Sequence, residues 1–167
     1  VHGTASPGKH AKLAELGVDR AIDYRRAGWW KGLEPYDIVL DALGGTSLRR
    51  SYRLLRPGGR LVAYGISNLQ QGETRSLRTA APHALAMLRG FNLMDQLSDS
   101  KAVIGINMLR LWDDRGTLGP WIAPLAEAMH DGTASPIVHA AVPFAEAPEA
   151  HRILAARENV GKVVLVP

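Results

Sequence analysis

The stretch from Tyr36 to Gly65, YDIVLDALGGTSLRRSYRLLRPGGRLVAYG, constrains the fold more than any other, because it reads as one strand-helix-strand unit. Ile38, Val39 and Leu40 form a short apolar run of the kind that a strand buried on both faces requires, and Asp41-Ala42-Leu43-Gly44-Gly45 closes it. Leu48, Tyr52 and Leu55 then recur at helical spacing. Pro57-Gly58-Gly59 is expected to stop that helix before Leu61 to Tyr64 starts the next strand. Two parallel strands joined by a crossover helix place a ligand at their carboxyl ends, which here are Asp41 to Gly45 and Gly65 to Asn68.

That unit alone leaves two enzyme classes open. Nicotinamide-dependent dehydrogenases and S-adenosylmethionine methyltransferases both carry an acidic strand end, a helix and a Pro-Gly-Gly strand. The 167 residues, 46% hydrophobic, are enough for a domain with a real core. Residue 1 is Val and VHGTAS resembles the end of a strand, so the chain is expected to start inside a longer protein. No apolar run reaches the length of a membrane span and no signal peptide opens the chain, so a cytoplasmic protein is expected. Zero Cys excludes disulfides, thiolate metal sites and a Cys nucleophile within these residues. The six His are scattered without metal-ligand spacing, so no metal site is expected. The net charge of +4 includes Arg49, Arg50, Arg53, Arg56 and Arg60, which fit the solvated side of one helix and its exit. No aromatic platform or recognition motif accompanies them, so nucleic acid is not expected as a partner.

Along the chain, Val1 to Ser6 reads as a strand end and Pro7-Gly8 as punctuation. A helix follows from Lys9 to Leu16, with Gly17 after its last turn. Val18 to Tyr24 reads as a strand centred on Ala21 and Ile22, and residues 25–35, with Trp29 and Trp30, as an amphipathic helix ending at Pro35. The alternation argues for an α/β fold with a doubly wound parallel sheet. Residues 66–78 read as a polar loop over the strand ends, followed by helices at 80–88 and 91–97. Lys101 to Asn107 reads as a strand, Leu109 to Trp112 as a short turn, and Trp121 to Met129 as a helix stopped by Asp131-Gly132. A strand at Ile137 to Val142, a helix at Ala145 to Ala156 and a strand at Lys162 to Val166 complete the chain.

The order of the short signatures HGTASPGKH, AELGVDRAIDYR, YDIVLDALGG, LLRPGGRLVAYG, FNLMDQ, VIGINMLRLW and EAHRILAARENVGKVVLVP resembles the medium-chain dehydrogenase/reductase superfamily. Within it, the chain resembles the zinc-independent quinone oxidoreductase branch, and GTAS and GINMLRLW look most like the vesicle amine transport protein group. The resemblance implies a Rossmann-type sheet incomplete at its first strand, since no GxGxxG occurs. It implies that residues 1–132 are part of an NADP-binding domain. Residues 133–167 would be a strand-helix-strand segment returning to a substrate domain of GroES type.

The turn after the first strand is the most informative site. Binding NAD calls for an acidic side chain near this strand end, whereas a 2'-phosphate calls for hydroxyls and a cation. Thr4, Ala5, Ser6, Lys9 and His10 include no acid, which favours NADP. The resemblance assigns Lys9 and Tyr24 to the 2'-phosphate, with Ser6 beside them. It runs Ala42, Leu43 and Gly44 along the cofactor, and leaves Asp41 to satisfy loop amides. Gly65, Ile66, Ser67 and Asn68 resemble the loop beneath the nicotinamide ribose, where Gly permits close backbone approach. Ile106, Asn107 and Met108 resemble the segment whose main chain holds the carboxamide, and Asn159 and Lys162 match a cofactor-facing turn. His151 has a structural counterpart, and no residue presents an acid-base constellation.

The expected activity is hydride transfer from NADPH to a quinone or an α,β-unsaturated carbonyl, with a non-catalytic NADP-binding protein of the vesicle amine transport type and a methyltransferase as alternatives. A homodimer through the strand at 101–107 is expected by resemblance, because edge strands invite pairing. The implied first strand would lie between Val1-Gly3 and Ile38-Asp41, so the isolated 167 residues are predicted to be poorly stable. A cooperative unfolding transition well above room temperature, read by calorimetry on the purified chain, would overturn that expectation.

Overall fold

Every strand pairing in the computed structural model, which describes residues 1–66, 85 and 90–167, is parallel. The described residues form two compact units, one of residues 1–29 with 117–167 and one of residues 30–116.

In the first unit, β1 (His2–Ala5) pairs with β2 (Arg20–Asp23), with Ala5 opposite Asp23. A short 3-10 turn at Pro7–Lys9 leads into α1 (His10–Glu15), which packs on β2. Proline suits the first position of that turn, since its φ is preset and no N–H is wasted. The same unit holds α5 (Gly119–His130), to which the chain returns after its central part, and a second parallel pair, β6 (Val138–Pro143) and β7 (Lys162–Val166). These two strands are bridged by α6 (Ala147–Ala155). Ala150 and Ile153 share one helical face and meet Val142, with Ala140 and Val163 packed against them. His151 lies off that face and is exposed. Beside it, Arg152 bonds Glu149 at 2.8 Å and Glu158 at 3.2 Å.

In the second unit, β3 (Tyr36–Asp41), β4 (Leu55–Ala63) and β5 (Ala102–Gly105) lie side by side in that order. The crossover from β3 to β4 is α2 (Thr46–Arg53), which packs on both strands. Leu61 on the middle strand is 0% exposed, as the apolar run around it requires. Before and after β5 stand α3 (Leu93–Asp99) and α4 (Met108–Arg115), and α5 spans Gly119–His130 in the first unit.

Three expectations are corrected. Residues 25–35 form turns, not a helix: the backbone N–H groups of Arg26 and Trp29 donate to the third residue back, and Gly28 and Gly32 take left-handed φ. The helix α2 ends at Arg53, and Leu55 belongs to β4, where it is 3% exposed. Pro57-Gly58-Gly59 therefore does not stop a helix but sits in a bulge, between the pairs Tyr36 with Leu55 and Ile38 with Arg60. Burying Leu55 in the sheet outweighs the helical spacing it shares with Leu48 and Tyr52, and the bulge absorbs the Pro that a regular ladder rejects. Leu109 to Trp112 lies within an eight-residue helix because Asn107 caps it, its side chain accepting from Leu109 N at 3.1 Å. The loop expected at 66–78 and the helix expected at 80–88, apart from Ile66 and Leu85, lie outside the described residues.

Two predictions follow from packing and charge. In the protein that carries this chain, Leu61→Ala leaves a cavity at the fully buried position on β4 and is expected to cost about 2–5 kcal/mol in urea denaturation. An unchanged midpoint would contradict the packing of that strand. The Arg152 hydrogen bond holds the Glu149 carboxyl below its ordinary value, opposed by a little burial and helped by the Arg152 charge. A lowered carboxyl contributes stability that is present above its unfolded value and lost as pH falls through the folded one. The Tm gap between the parent and Arg152→Ala is therefore expected at neutral pH and should close in acid, below the ordinary glutamate range; a pH-independent gap would refute this.

Candidate functional site

At the carboxyl edge of the three-stranded sheet, the Asp41 side chain is 4% exposed and organises the turn that follows it. Its Oδ1 accepts from Leu43 N at 2.9 Å and Gly44 N at 3.0 Å, and its Oδ2 accepts from Ser51 Oγ at 2.7 Å. Asp41 thus satisfies loop amides and ties the turn to α2 through Ser51. Gly44 has φ +72°, and a Cβ there would stand 3.1 Å from Ile66 Cα. A Cβ on Gly65 would stand 2.6 Å from Ala42 O, closer than real contacts allow. The two glycines therefore let the loops after β3 and β4 touch backbone to backbone. Tyr64 N donates to Asp41 O at 3.0 Å and Ile106 N to Ala63 O at 2.8 Å, which extends the ladder beyond the strand ends.

Ala42, Leu43, Gly44, Gly65, Ile66, Ile106, Asn107 and Met108 are accordingly gathered at one edge of one sheet. The side chains of Leu43, Ile66, Ile106 and Met108 are exposed there. Asn107 uses its side-chain Oδ1 for the cap of α4, accepting from Leu109 N. Ser67 and Asn68 lie outside the described residues.

Arg49 and Arg50 of α2 and Arg56 of β4 are engaged within this unit. Arg49 donates to Gly90 O at 2.9 Å, Arg50 lies over the Trp30 ring at 4.0 Å, and Arg56 donates to Pro35 O at 2.8 Å. Burial pulls the Arg50 guanidinium below its ordinary value, and the Asp41 charge opposes that shift. A guanidinium stays charged regardless, so the Trp30 contact is a cation-π stack.

In the other unit, the turn leaving β1 carries Thr4 on the strand, Ser6 at the start of the 3-10 turn, and Lys9 at its end. Ser6 makes no side-chain capping bond, and its carbonyl accepts from Lys9 N at 2.9 Å. His10 Nε2 lies 3.1 Å from Ala5 O. The half-buried Lys9 donates from Nζ to the backbone carbonyl of Asn159. Two residues named separately from the sequence are thereby brought together. The Asn159 side chain donates to Gly161 O at 2.7 Å. Lys162 opens β7, with its N bonded to Ile137 O at 2.8 Å, and Tyr24 follows β2 and is exposed.

One residue near this turn escaped the sequence reading. Asp23 sits opposite Ala5, and its Oδ1 accepts from Arg25 N at 3.0 Å and from Arg25 Nε at 3.4 Å. The signal available was the alternation of β2 itself, which puts an acid in register with the end of β1. Among the described residues no group of three or more His, Asp or Glu could hold a metal ion, and the chain has no Cys.

Comparison with known proteins places this geometry. Residues 16–165 match the family model described as zinc-binding dehydrogenase. The human synaptic vesicle membrane protein VAT-1 homolog is 33% identical over 172 residues, covering 100% of this chain and 44% of that protein. The NorB protein of the spectinabilin polyketide synthase system of Streptomyces orinoci is 32% identical, covering 99% of this chain and 7% of that protein. The solved human VAT-1 homolog-like protein superposes with a TM-score of 0.68 at 24% identity, over 100% of this chain and 45% of that one. The quinone oxidoreductase from Coxiella burnetii does so with a TM-score of 0.64 at 20% identity, over 99% and 44%. The fold is that of the Rossmann-like nucleotide-binding domains of these structures. The chain spans less than half the length of the VAT-1 homologues it matches, and it belongs to the zinc-binding dehydrogenase family, as a quinone-oxidoreductase-like member of the medium-chain dehydrogenase/reductase superfamily.

Proposed function

We propose that this chain is the NADP-binding part of an NADPH-dependent reductase whose substrate is a quinone or an α,β-unsaturated carbonyl. The observation that carries the reading is the half-buried Lys9 ammonium at the turn leaving β1, where an NAD-selective site would carry an acid aimed at the ribose. The family match favours a nicotinamide nucleotide over S-adenosylmethionine. When bound, the nicotinamide supplies the hydride, and the protein contributes binding and orientation.

In this reading Lys9, Ser6, Thr4 and Tyr24 bind the 2'-phosphate end. The backbone of Ala42 to Gly44 and of Gly65, Ile66 and Ser67 runs along the cofactor, the main chain of Ile106 to Met108 holds the carboxamide, and Asn159 and Lys162 belong to a turn that faces the cofactor. Residues 1–132 would be the nucleotide domain and 133–167 a segment of the substrate domain. β5 lies at the border of its three-stranded sheet, which supports pairing of residues 101–107 between two subunits. The protein would act in the cytoplasm. No helix among the described residues is long and apolar enough to cross a membrane. A second reading, which rests on the resemblance of GTAS and GINMLRLW to the vesicle amine transport protein group, is an NADP-binding protein without catalysis.

Titration calorimetry with NADP+ and NAD+ tests the first part. Lys9→Ala is expected to weaken NADP+ selectively, by the roughly 1.5–3 kcal/mol that a hydrogen bond to a charged group is worth, and to leave NAD+ unchanged. Equal affinity of the parent protein for both nucleotides would refute the NADP assignment. NADPH consumption with a quinone or enone then separates the two readings: turnover supports the reductase, and tight NADPH binding without turnover supports the non-catalytic protein.

A further inference from the structure

Asn159 was placed by resemblance among residues that face the cofactor, yet its side chain turns to its own main chain. Its Nδ2 donates to Gly161 O at 2.7 Å, while its backbone carbonyl receives the Lys9 ammonium, 150 residues away in sequence. The turn that carries it is anchored at both ends. Glu158 N donates to Ile153 O at 3.2 Å and Arg152 reaches Glu158 on one side; Lys162 N donates to Ile137 O at 2.8 Å on the other. Between those anchors the carboxamide of Asn159 closes the segment that presents the carbonyl to Lys9.

A carboxamide is needed for this, because a carbonyl acceptor requires an N–H donor and a carboxylate at the same place would repel it. The ammonium has three N–H donors, of which the Asn159 carbonyl takes one, so two can serve phosphate oxygens. Lysine carries a long flexible stem, and fixing it before a ligand arrives removes that ordering cost from binding.

We infer that Asn159 is a positioning residue for Lys9: its side chain sets the turn, its carbonyl sets the ammonium, and its influence reaches the nucleotide only through the 2'-phosphate. This rests on the reading that Lys9 binds that phosphate. It differs from a direct contact measurably: a direct contact to the part that both nucleotides share would act on NAD+ and NADP+ alike, and one to the 2'-phosphate itself would survive the loss of Lys9.

The test is a double-mutant cycle read by titration calorimetry with NADP+ and NAD+, on the protein that carries this chain. The variants are Asn159→Ala, Asn159→Asp, Lys9→Ala, and Lys9→Ala combined with each Asn159 change. Asn159→Asp keeps the side-chain shape, so the cycle remains readable if the alanine variant does not fold. Either single change at Asn159 is expected to weaken NADP+ roughly three- to tenfold, the span of one neutral hydrogen bond, with NAD+ unchanged within about twofold. In the Lys9→Ala background the same changes are expected to have no effect on NADP+. Equal loss for both nucleotides, or a loss that persists without Lys9, overturns the inference. If Lys9→Ala abolishes the NADP+ preference and Asn159 changes do not touch it, the inference fails while the cofactor reading stands. If the parent shows no preference, or Lys9→Ala leaves it intact, the cofactor reading fails and the inference with it.

Discussion

The buried carboxylate of Asp41 is the interaction on which the three-stranded unit depends. It accepts two backbone N–H groups from its own turn and one hydroxyl from α2, so strand, turn and helix share a single polar node. Hydrogen bonds to a charged acceptor contribute about 1.5–3 kcal/mol each, whereas burying a carboxylate costs several kcal/mol. The two nearly offset, and the yield is geometric: one carboxylate ties the turn at Ala42 to Gly45 to its strand and to α2. The Arg50 guanidinium adds a long-range charge of the right sign while its own burial works against it.

Given that fixed turn, the approach of the next loop is decided by what is missing from it. A Cβ on Gly65 would fall 2.6 Å from Ala42 O, and one on Gly44 would press on Ile66. Close backbone contact at this edge leaves main-chain groups, rather than long side chains, as its lining. That is the surface a flat nucleotide needs, and it agrees with a fold in which ligands lie outside the carboxyl ends of parallel strands. The side chains of Leu43, Ile66 and Ile106 supply apolar cover around it.

Legibility in the sequence followed how local each cause was. β3 and β7 could be read because each carries a short apolar run, although Ile38 and Leu40 of β3 and Leu165 and Val166 of β7 are exposed rather than buried on both faces. The role of Asp41 was open to reading because an acid at a strand end, followed by Gly-Gly, has loop amides within its own reach. Leu55 was misplaced because helical spacing cannot tell a residue at the end of a helix from one that the adjoining strand buries. Residues 25–35 looked helical from two tryptophans, while Gly28 and Gly32 in left-handed conformation decided otherwise. The helix at Met108–Arg115 hung on a cap by Asn107, which had been read only as a cofactor-side residue. The Lys9 to Asn159 bond had no local signature, since its partners come from opposite ends of the chain.

The turn after β1 brings two opposite charges, Asp23 and Lys9, to the edge where the proposal puts the 2'-phosphate. Asp23 stands in register with Ala5, where an acid would ordinarily argue for unphosphorylated ribose. Its Oδ1 already accepts the Arg25 backbone N–H and lies close to the Arg25 guanidinium. An ion pair with an arginine that is 58% exposed adds little energy, yet together the two contacts commit the carboxylate to its own turn. Lys9 is bound differently: a neutral carbonyl holds it, which orients the ammonium without cancelling its charge. The acid at this edge is therefore compensated and the base is not, and that imbalance of charge, more than the bare absence of an acid from residues 4–10, underlies the proposed preference for a 2'-phosphate.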